Sequence, residues 1–410
     1  MIVNVTDPDK GVQMMVEMLV DYIRSGIKTA DKKSLGVEVE HFILDSESKE
    51  SVPYSGKGGV RDILLELMKC YPEAEPITGE DILGFFTPDL AITLEPAAQM
   101  EISITQSEDI EYIKHIYTDF CGHISRILLS AGKELFTKGC QPVSKVDDLE
   151  LIPKGRYRLM DGHFKKTGTG GRQMMRGTAS TQISVDYTSE EDFRKKLQAA
   201  YFFTPLFKIV TDRVESFEGK KTGSYIFRND IWCRTDPERC GVLPDIFKKD
   251  YGFRDYAEYI CSEPLIVMPC EGTDVYTDKR APEAYAGKEL TKADIEHIFS
   301  MVFPDVRVKK YIEIRGADAM PPEGVYAYCA LIKGLIYSES VLDHVQEYIE
   351  NEGLCGEDIR MSEKSLAERG MEGKIYGVPA GDFLKDALDM CRENLKESDK
   401  KYLDGWEWVR

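Results

Sequence analysis

Glutamates recur two residues apart in segments whose hydropathy alternates, and that spacing places carboxylates side by side on one face of a β-strand. In residues 35–44, Leu35, Val37, Val39 and Ile43 point one way, which sends Gly36, Glu38, Glu40 and Phe42 the other. Residues 93–104 repeat the arrangement, with Met100, Ile102 and Ile104 on the apolar side and Glu95, Gln99, Glu101 and Ser103 opposite. Pro96 predicts a bend or bulge at the start of that segment. Within residues 178–187, Ile183, Val185 and Tyr187 alternate with Gln182, Ser184 and Asp186. Near residue 311, Ile312 and Ile314 alternate with Tyr311, Glu313 and Arg315.

A solvent-facing antiparallel sheet gives the same alternation in any single strand. Taken together, the four segments argue against it. Wet faces usually carry Thr, Lys and mixed charge, whereas these hold five glutamates against one arginine, and Glu is a poor strand former. Two carboxylates about 5 Å apart repel by about 3 kcal/mol at an effective dielectric of 20. The repulsion is relieved by protonation or by a bridging cation. Oxygen ligands without His or Cys suit magnesium, or manganese in its place, and these ions bridge nucleotide phosphates.

Anionic substrates also need cations from the protein. Residues 153–158 (Pro-Lys-Gly-Arg-Tyr-Arg) form a compact basic turn containing Lys154 and Arg156, and Arg228, Arg234 and Arg239 lie in the stretch around Trp232. The planar fork of arginine suits carboxylate and phosphate. Trp232 reads either as core packing or as a binding wall. The run from Lys165 to Arg172 is rich in Gly and Thr but fits neither the Walker pattern nor GxGxxG. It reads as a loop that closes over phosphates or as a flexible connector.

The chain of 410 residues, 42% hydrophobic and 30% charged, is long enough to bury a large core. A formal charge of −19 argues against binding nucleic acid or anionic membranes. Ten cysteines without a CxxC pair read as reduced thiols, and six scattered histidines give little support for zinc or haem. No export signal or membrane-length apolar run stands out, so the expectation is a cytoplasmic protein. Helical periodicity appears over residues 10–25, 61–69, 109–131, 190–210, 325–350 and 380–396. Strands interleaved irregularly with these helices predict an α+β fold. The expected organisation is a catalytic domain over 1–325 with a helical region over 326–410 packed on it.

Six blocks, GVEVEHF at 36–42, TLEPAAQMEIS at 93–103, PKGRY at 153–157, TASTQISVDY at 178–187, FRNDIW at 227–232 and YIEIRGAD at 311–318, together resemble the plant-type glutamate-cysteine ligases of the glutamine synthetase superfamily. The resemblance implies a curved, mainly antiparallel sheet forming a funnel with helices outside. It implies ATP and magnesium as cofactors and glutamate and cysteine as substrates, joined through a γ-glutamyl phosphate, in a monomer or homodimer. It places Glu38, Glu40, Glu95, Glu101 and Glu313 at the metals, with Glu101, Glu313 and Arg315 catalytic. Gln99, Gln182, Lys154 and Arg156 are expected at the nucleotide, and Arg228, Ser184 and Trp232 at the substrate. Two departures from the family pattern bear on substrate choice: Ala97-Ala98 replaces a frequent glycine pair, and Ser184 a frequent asparagine. The alternatives are a ligase using another amine acceptor and a non-catalytic relative that binds nucleotide or metal.

Overall fold

The computed structural model describes residues 8–29 and 32–406. Nine strands form one sheet: β1 (Leu35–Asp45), β2 (Glu75–Thr78), β3 (Ile82–Phe86), β4 (Leu90–Leu94), β5 (Met100–Ser107), β6 (Lys133–Phe136), β7 (Ser180–Val185), β8 (Val306–Val308) and β9 (Ile312–Asp318). Their order is β8-β9-β7-β1-β5-β4-β3-β2, with β6 paired to the far end of β1. Every ladder in this sheet is antiparallel. The four alternating segments therefore supply strands that are direct neighbours at every step: β9-β7-β1-β5.

One face of the sheet is apolar and buried. Val37, Val39, Ile102, Ile183, Val185, Ile312 and Ile314 lie beneath helices, each almost or wholly out of water. The covering helices are α3 (Ile110–Ser130), which packs on β5, and α6 (Glu190–Thr211), which packs on β9, with the helix Pro322–Ile336 against β7. Asp109 and Ser189 start the first two by accepting from Glu111 N and Asp192 N. Such caps typically stabilise a helix by about 1 kcal/mol. Burying one face in this way fixes the register, because a one-residue slip would turn every glutamate into the core.

The single helix expected over 325–350 is two, Pro322–Ile336 and Glu339–Glu352, bent by 71°. Ser338 causes the break locally, its hydroxyl capping the second helix by accepting from Val341 N. Pro322–Ile336 crosses the expected domain boundary at 325 and is buried through most of its length. No single helix among the described residues is long and apolar enough to cross a membrane.

Residues 93–104 do not form one bent strand. They fold back as the β4–β5 hairpin, closed by Ala98 N donating to Glu95 O and Glu95 N to Gln99 O, each at 2.9 Å. Ala98 has φ 65°, the left-handed region that favours glycine, and it is buried. Ala98→Gly should leave stability within about 1 kcal/mol of the parent, while β-branched Ala98→Val should cost about 2 kcal/mol in urea unfolding.

Candidate active site

The polar face of the sheet opens into a cleft of about 340 Å³. Cross-strand register builds its floor. Glu40 stands directly opposite Glu101, Glu38 opposite both Ser103 and Gln182, and Glu313 opposite Ser184 and Arg307. Glu95 joins the group from the hairpin turn. The sheet thus changes sign across its width: carboxylates occupy the centre on β1 and β5, and cations occupy the β8–β9 edge.

Gln182 sits between the two signs. Its amide nitrogen donates to Glu40 Oε1 at 3.0 Å, and its amide oxygen accepts from Arg315 Nη1 at 2.5 Å. Arg315 is aimed there by a β-bulge. The register of β9 against β7 shifts between Ile314 and Ala317, and Arg315 N pairs instead with Asp305 O.

Glu313 differs from the other four acids. It is fully buried, and its carboxylate accepts from Arg307 at 2.7 Å, Arg315 at 2.9 Å and Lys309 at 3.5 Å. Burial alone would raise its pKa, but the three cations prevail and hold the carboxyl well below the usual range. The open acids shift the opposite way. Burial pushes Glu38 up to about 8, with Glu101 and Glu313 adding to it. Burial, then Glu95 and Glu40, push Glu101 to about 8, and burial with Glu40 pushes Glu95 to about 7. Glu40 is raised by burial despite Arg228 and the Ser180 N–H, which donates to it at 2.7 Å. These groups crowd together in a form that a divalent cation would relieve. Among the described residues no three acidic, His or Cys side chains already converge as a metal cage. That donor set fits an ion held by one or two carboxylates and completed by phosphate oxygens, the habit of magnesium.

The wall carries Arg228 and Trp232 on α7 (Phe227–Cys233). The Arg228 guanidinium lies 5.6 Å from the Trp232 ring centroid and that of Arg315 lies 6.0 Å away. Arg228 is buried yet poorly matched. Its closest carboxylate oxygen is Asp318 Oδ1 at 3.9 Å, its contacts to the Arg315 and Gly316 carbonyls are 3.5 Å, and its Nε has no partner among the described residues. The Trp232 indole nitrogen is likewise buried without one. Trp232 is therefore a wall of the cleft rather than sealed core.

Arg156, Tyr157, Met160, Met174 and Met175 close the cleft from α4 (Gly155–Thr167) and α5 (Gly171–Gly177). Arg156 Nε is buried and unpartnered among the described residues. Lys154 sits at the start of α4 with its ammonium 4.8 Å from the Tyr157 ring, and burial lowers its pKa while Glu95 opposes that shift.

Three expectations change. Gln99 is buried, and its amide is consumed by backbone: it accepts from Ala97 N and donates to Met175 O and Thr178 O, tying the hairpin to α5. It braces the hairpin where it lines the cleft, both amide hydrogens being used while the amide oxygen keeps one acceptor position. Ser184 shares the polar face, part-exposed between its strand neighbours Gly36 and Glu313, and is not among the residues lining the cleft. The Gly-rich run is not a phosphate loop. A Cβ at Gly168 or Gly170 would overlap the carbonyls of Arg234 or Ile231, so these glycines permit close packing of α5 on α7. Arg239 is also structural, paired with Asp236 and the Met301 carbonyl.

Sequence reasoning missed Arg307 and Lys309. Both lie in the cleft, and running the strand period back through β8 would have put Arg307 on the face of Glu313. Among the described residues all ten cysteines are free thiols.

An antiparallel sheet bearing clustered acids beside a basic edge, with helices on its outer face, is an α+β fold whose cleft suits a cation together with anionic substrates. A solved glutamate-cysteine ligase from Francisella tularensis, in complex with AMP, shares that fold with a TM-score of 0.52 at 11% identity, covering 93% of this chain and 81% of that one. Residues 34–397 match the sequence model of glutamate-cysteine ligase family 2, and the chain belongs to that family. The chloroplastic glutamate-cysteine ligase A of Oryza sativa subsp. indica is 26% identical over 407 residues, spanning 96% of this chain and 80% of that protein. The chloroplastic enzyme of Brassica juncea is 30% identical over 342 residues, 80% of this chain and 65% of that protein. These names overturn the cytoplasmic expectation, since they point to a plastid. The start of the sequence carries no information about compartment.

The raised carboxyls give stability a definite pH dependence. Folded Glu38, Glu95 and Glu101 hold protons that the unfolded chain releases above about pH 4.5. Stability is therefore fully present below that pH and is lost as pH rises through about 7 to 8. In EDTA the melting temperature should fall between pH 5.5 and 8.5, and Glu101→Gln should flatten the decline. A flat wild-type profile would refute the protonated cluster.

Proposed function

We propose that this protein joins the γ-carboxylate of L-glutamate to the amine of L-cysteine at the expense of ATP, giving γ-glutamylcysteine. The observation that carries this reading is the pairing of an acid cluster with an under-satisfied Arg228 across a single cleft. Family membership supports the donor and acceptor, and the AMP bound to the Francisella enzyme supports a nucleotide.

Glu38, Glu40, Glu95 and Glu101 would hold magnesium, which when bound supplies positive charge to the ATP phosphates. Arg228, lacking a close counter-ion, receives the α-carboxylate of glutamate, and Trp232 presents its free N–H beside it. The γ-carboxylate attacks the terminal phosphorus in line and ADP leaves. Arg315 balances charge on the transferring phosphoryl group, and Gln182 keeps its guanidinium directed into the cleft. The cysteine amine then attacks the acyl phosphate, loses its proton to a neighbouring oxygen, and phosphate departs. Glu313 fixes Arg307, Lys309 and Arg315 at the basic edge. Arg156, Tyr157 and the methionines of α4 and α5 exclude water from the acyl phosphate.

With ATP and magnesium present, L-cysteine should accelerate ADP release from a glutamate-containing mixture while γ-glutamylcysteine accumulates, identified by mass spectrometry. Product with another amine but none with cysteine would reassign the acceptor. Glu101→Gln should lower turnover by about a hundredfold or more with the fold intact, and Arg315→Lys should be severely impaired because an ammonium lacks the planar fork. Near-normal turnover in both would sink the site. Magnesium affinity measured by calorimetry should rise from pH 6 to pH 8.5 with proton release, because each ligand must shed a proton first.

A further inference from the structure

Behind the cleft wall lies a buried ion cluster that is not part of the cleft lining. Lys208, near the end of α6, is 4% exposed. Its ammonium donates to Glu363 Oε1 at 2.6 Å, Asn229 Oδ1 at 2.7 Å and Asp305 Oδ2 at 2.8 Å. An ammonium has three donors, so all are used and three acceptors are fixed around one point. Those acceptors belong to distant parts of the chain. Asn229 follows Arg228 on α7, one turn before Trp232. Asp305 precedes β8, and its carbonyl receives Arg315 N at 2.9 Å. Glu363 lies on the helix Gly356–Arg369, in the region after 326. Asn229 Nδ2 reaches Glu363 Oε2 at 3.4 Å and closes the ring.

A cavity of about 20 Å³, room for about one water, separates Lys208 from Arg228, Arg315 and Trp232. The cluster therefore stands immediately behind the three groups of the wall. Stability alone does not call for it, since well-packed apolar side chains often replace a buried ion group at no loss. What an apolar trio could not supply is direction: the bonds to Asn229 and Asp305 set the place of the segments that carry or hold Arg228, Trp232 and Arg315, and the bond to Glu363 ties the helix Gly356–Arg369 to them.

We propose that Lys208 is a positioning residue for the donor wall. By holding Asn229 and Asp305 to one point it sets where Arg228, Trp232 and Arg315 stand, and through Glu363 it makes the C-terminal helical region part of the substrate site. This rests on Arg228 as the glutamate clamp.

The test is full-chain Lys208→Met, Asn229→Ala and Glu363→Gln, with Michaelis constants for glutamate and ATP, turnover and melting temperature measured for each beside wild type. Lys208→Met should raise the glutamate constant at least tenfold, and the other two at least threefold, with the ATP constant within twofold. If Lys208→Met does not fold, the milder pair decides. Lower melting temperatures with an unchanged glutamate constant would overturn the proposal and leave a structural cluster. An equal rise in both constants would overturn it too. Wild type that forms no γ-glutamyl product with cysteine or any other amine would overturn the ligase reading itself, a result distinguishable from the first two.

Discussion

Like charges on adjacent strands are the constraint around which this protein is arranged. Glu40 and Glu101 face each other across a ladder, with Glu38 and Glu95 beside them, and a sheet carrying that row is destabilised by its own face. The opposite face compensates, since its Val and Ile side chains are buried beneath α3, α6 and Pro322–Ile336. Register is thus held from the apolar side while the polar side is kept strained. Burial first, and the neighbouring carboxylates after it, raise the pKa of Glu38, Glu95 and Glu101, and acids held in that way are prepared for a cation.

The basic edge solves the complementary problem. Arg307, Lys309 and Arg315 would repel one another, and they would also discharge the neighbouring acids if they collapsed onto them. Glu313 prevents both by taking all three into one fully buried group. Gln182 separates that group from Glu40 by a neutral amide, which satisfies both sides without neutralising either. The bulge at Arg315 matters for the same reason. In regular pairing the side chain would lie in the row of its neighbours, whereas the extra residue turns it toward Gln182.

Strand periodicity made the sheet face legible, because period two is a backbone property that survives whatever packs around it. Glu38, Glu40, Glu101, Gln182 and Arg315 are legible that way, and the α+β class follows from the irregular interleaving of such strands with helical segments. Local pattern was silent where tertiary contact decides. Gln99 alternates like a cleft residue, yet the hairpin at Pro96 turns its amide to backbone. The Lys165–Arg172 run has the composition of a phosphate loop, yet its glycines exist to let two helices approach. Arg307 was overlooked because β8 has only three residues, too few to display a period. Lys208, Asp305 and Glu363 could not be seen at all, since nothing in a sequence places residues 208, 305 and 363 together.

The two halves of the cleft are coupled through Glu40. Burial raises the pKa of this carboxyl, and Arg228 is the chief charge that opposes the rise. In the ligase reading, a donor carboxylate that binds Arg228 withdraws that support and makes Glu40 harder to ionise. A metal ion on Glu40 reverses the effect, and its charge also attracts the incoming carboxylate. Metal and donor therefore strengthen each other's binding, and by linkage the coupling is the same in either direction. Glutamate alone would meet a cleft whose acids hold their protons and whose arginine already serves one of them. In the ligase reading, the coupling thus runs between a glutamate of the sheet floor and an arginine of the α7 wall, and being reciprocal it makes the cation and the donor fill the cleft together.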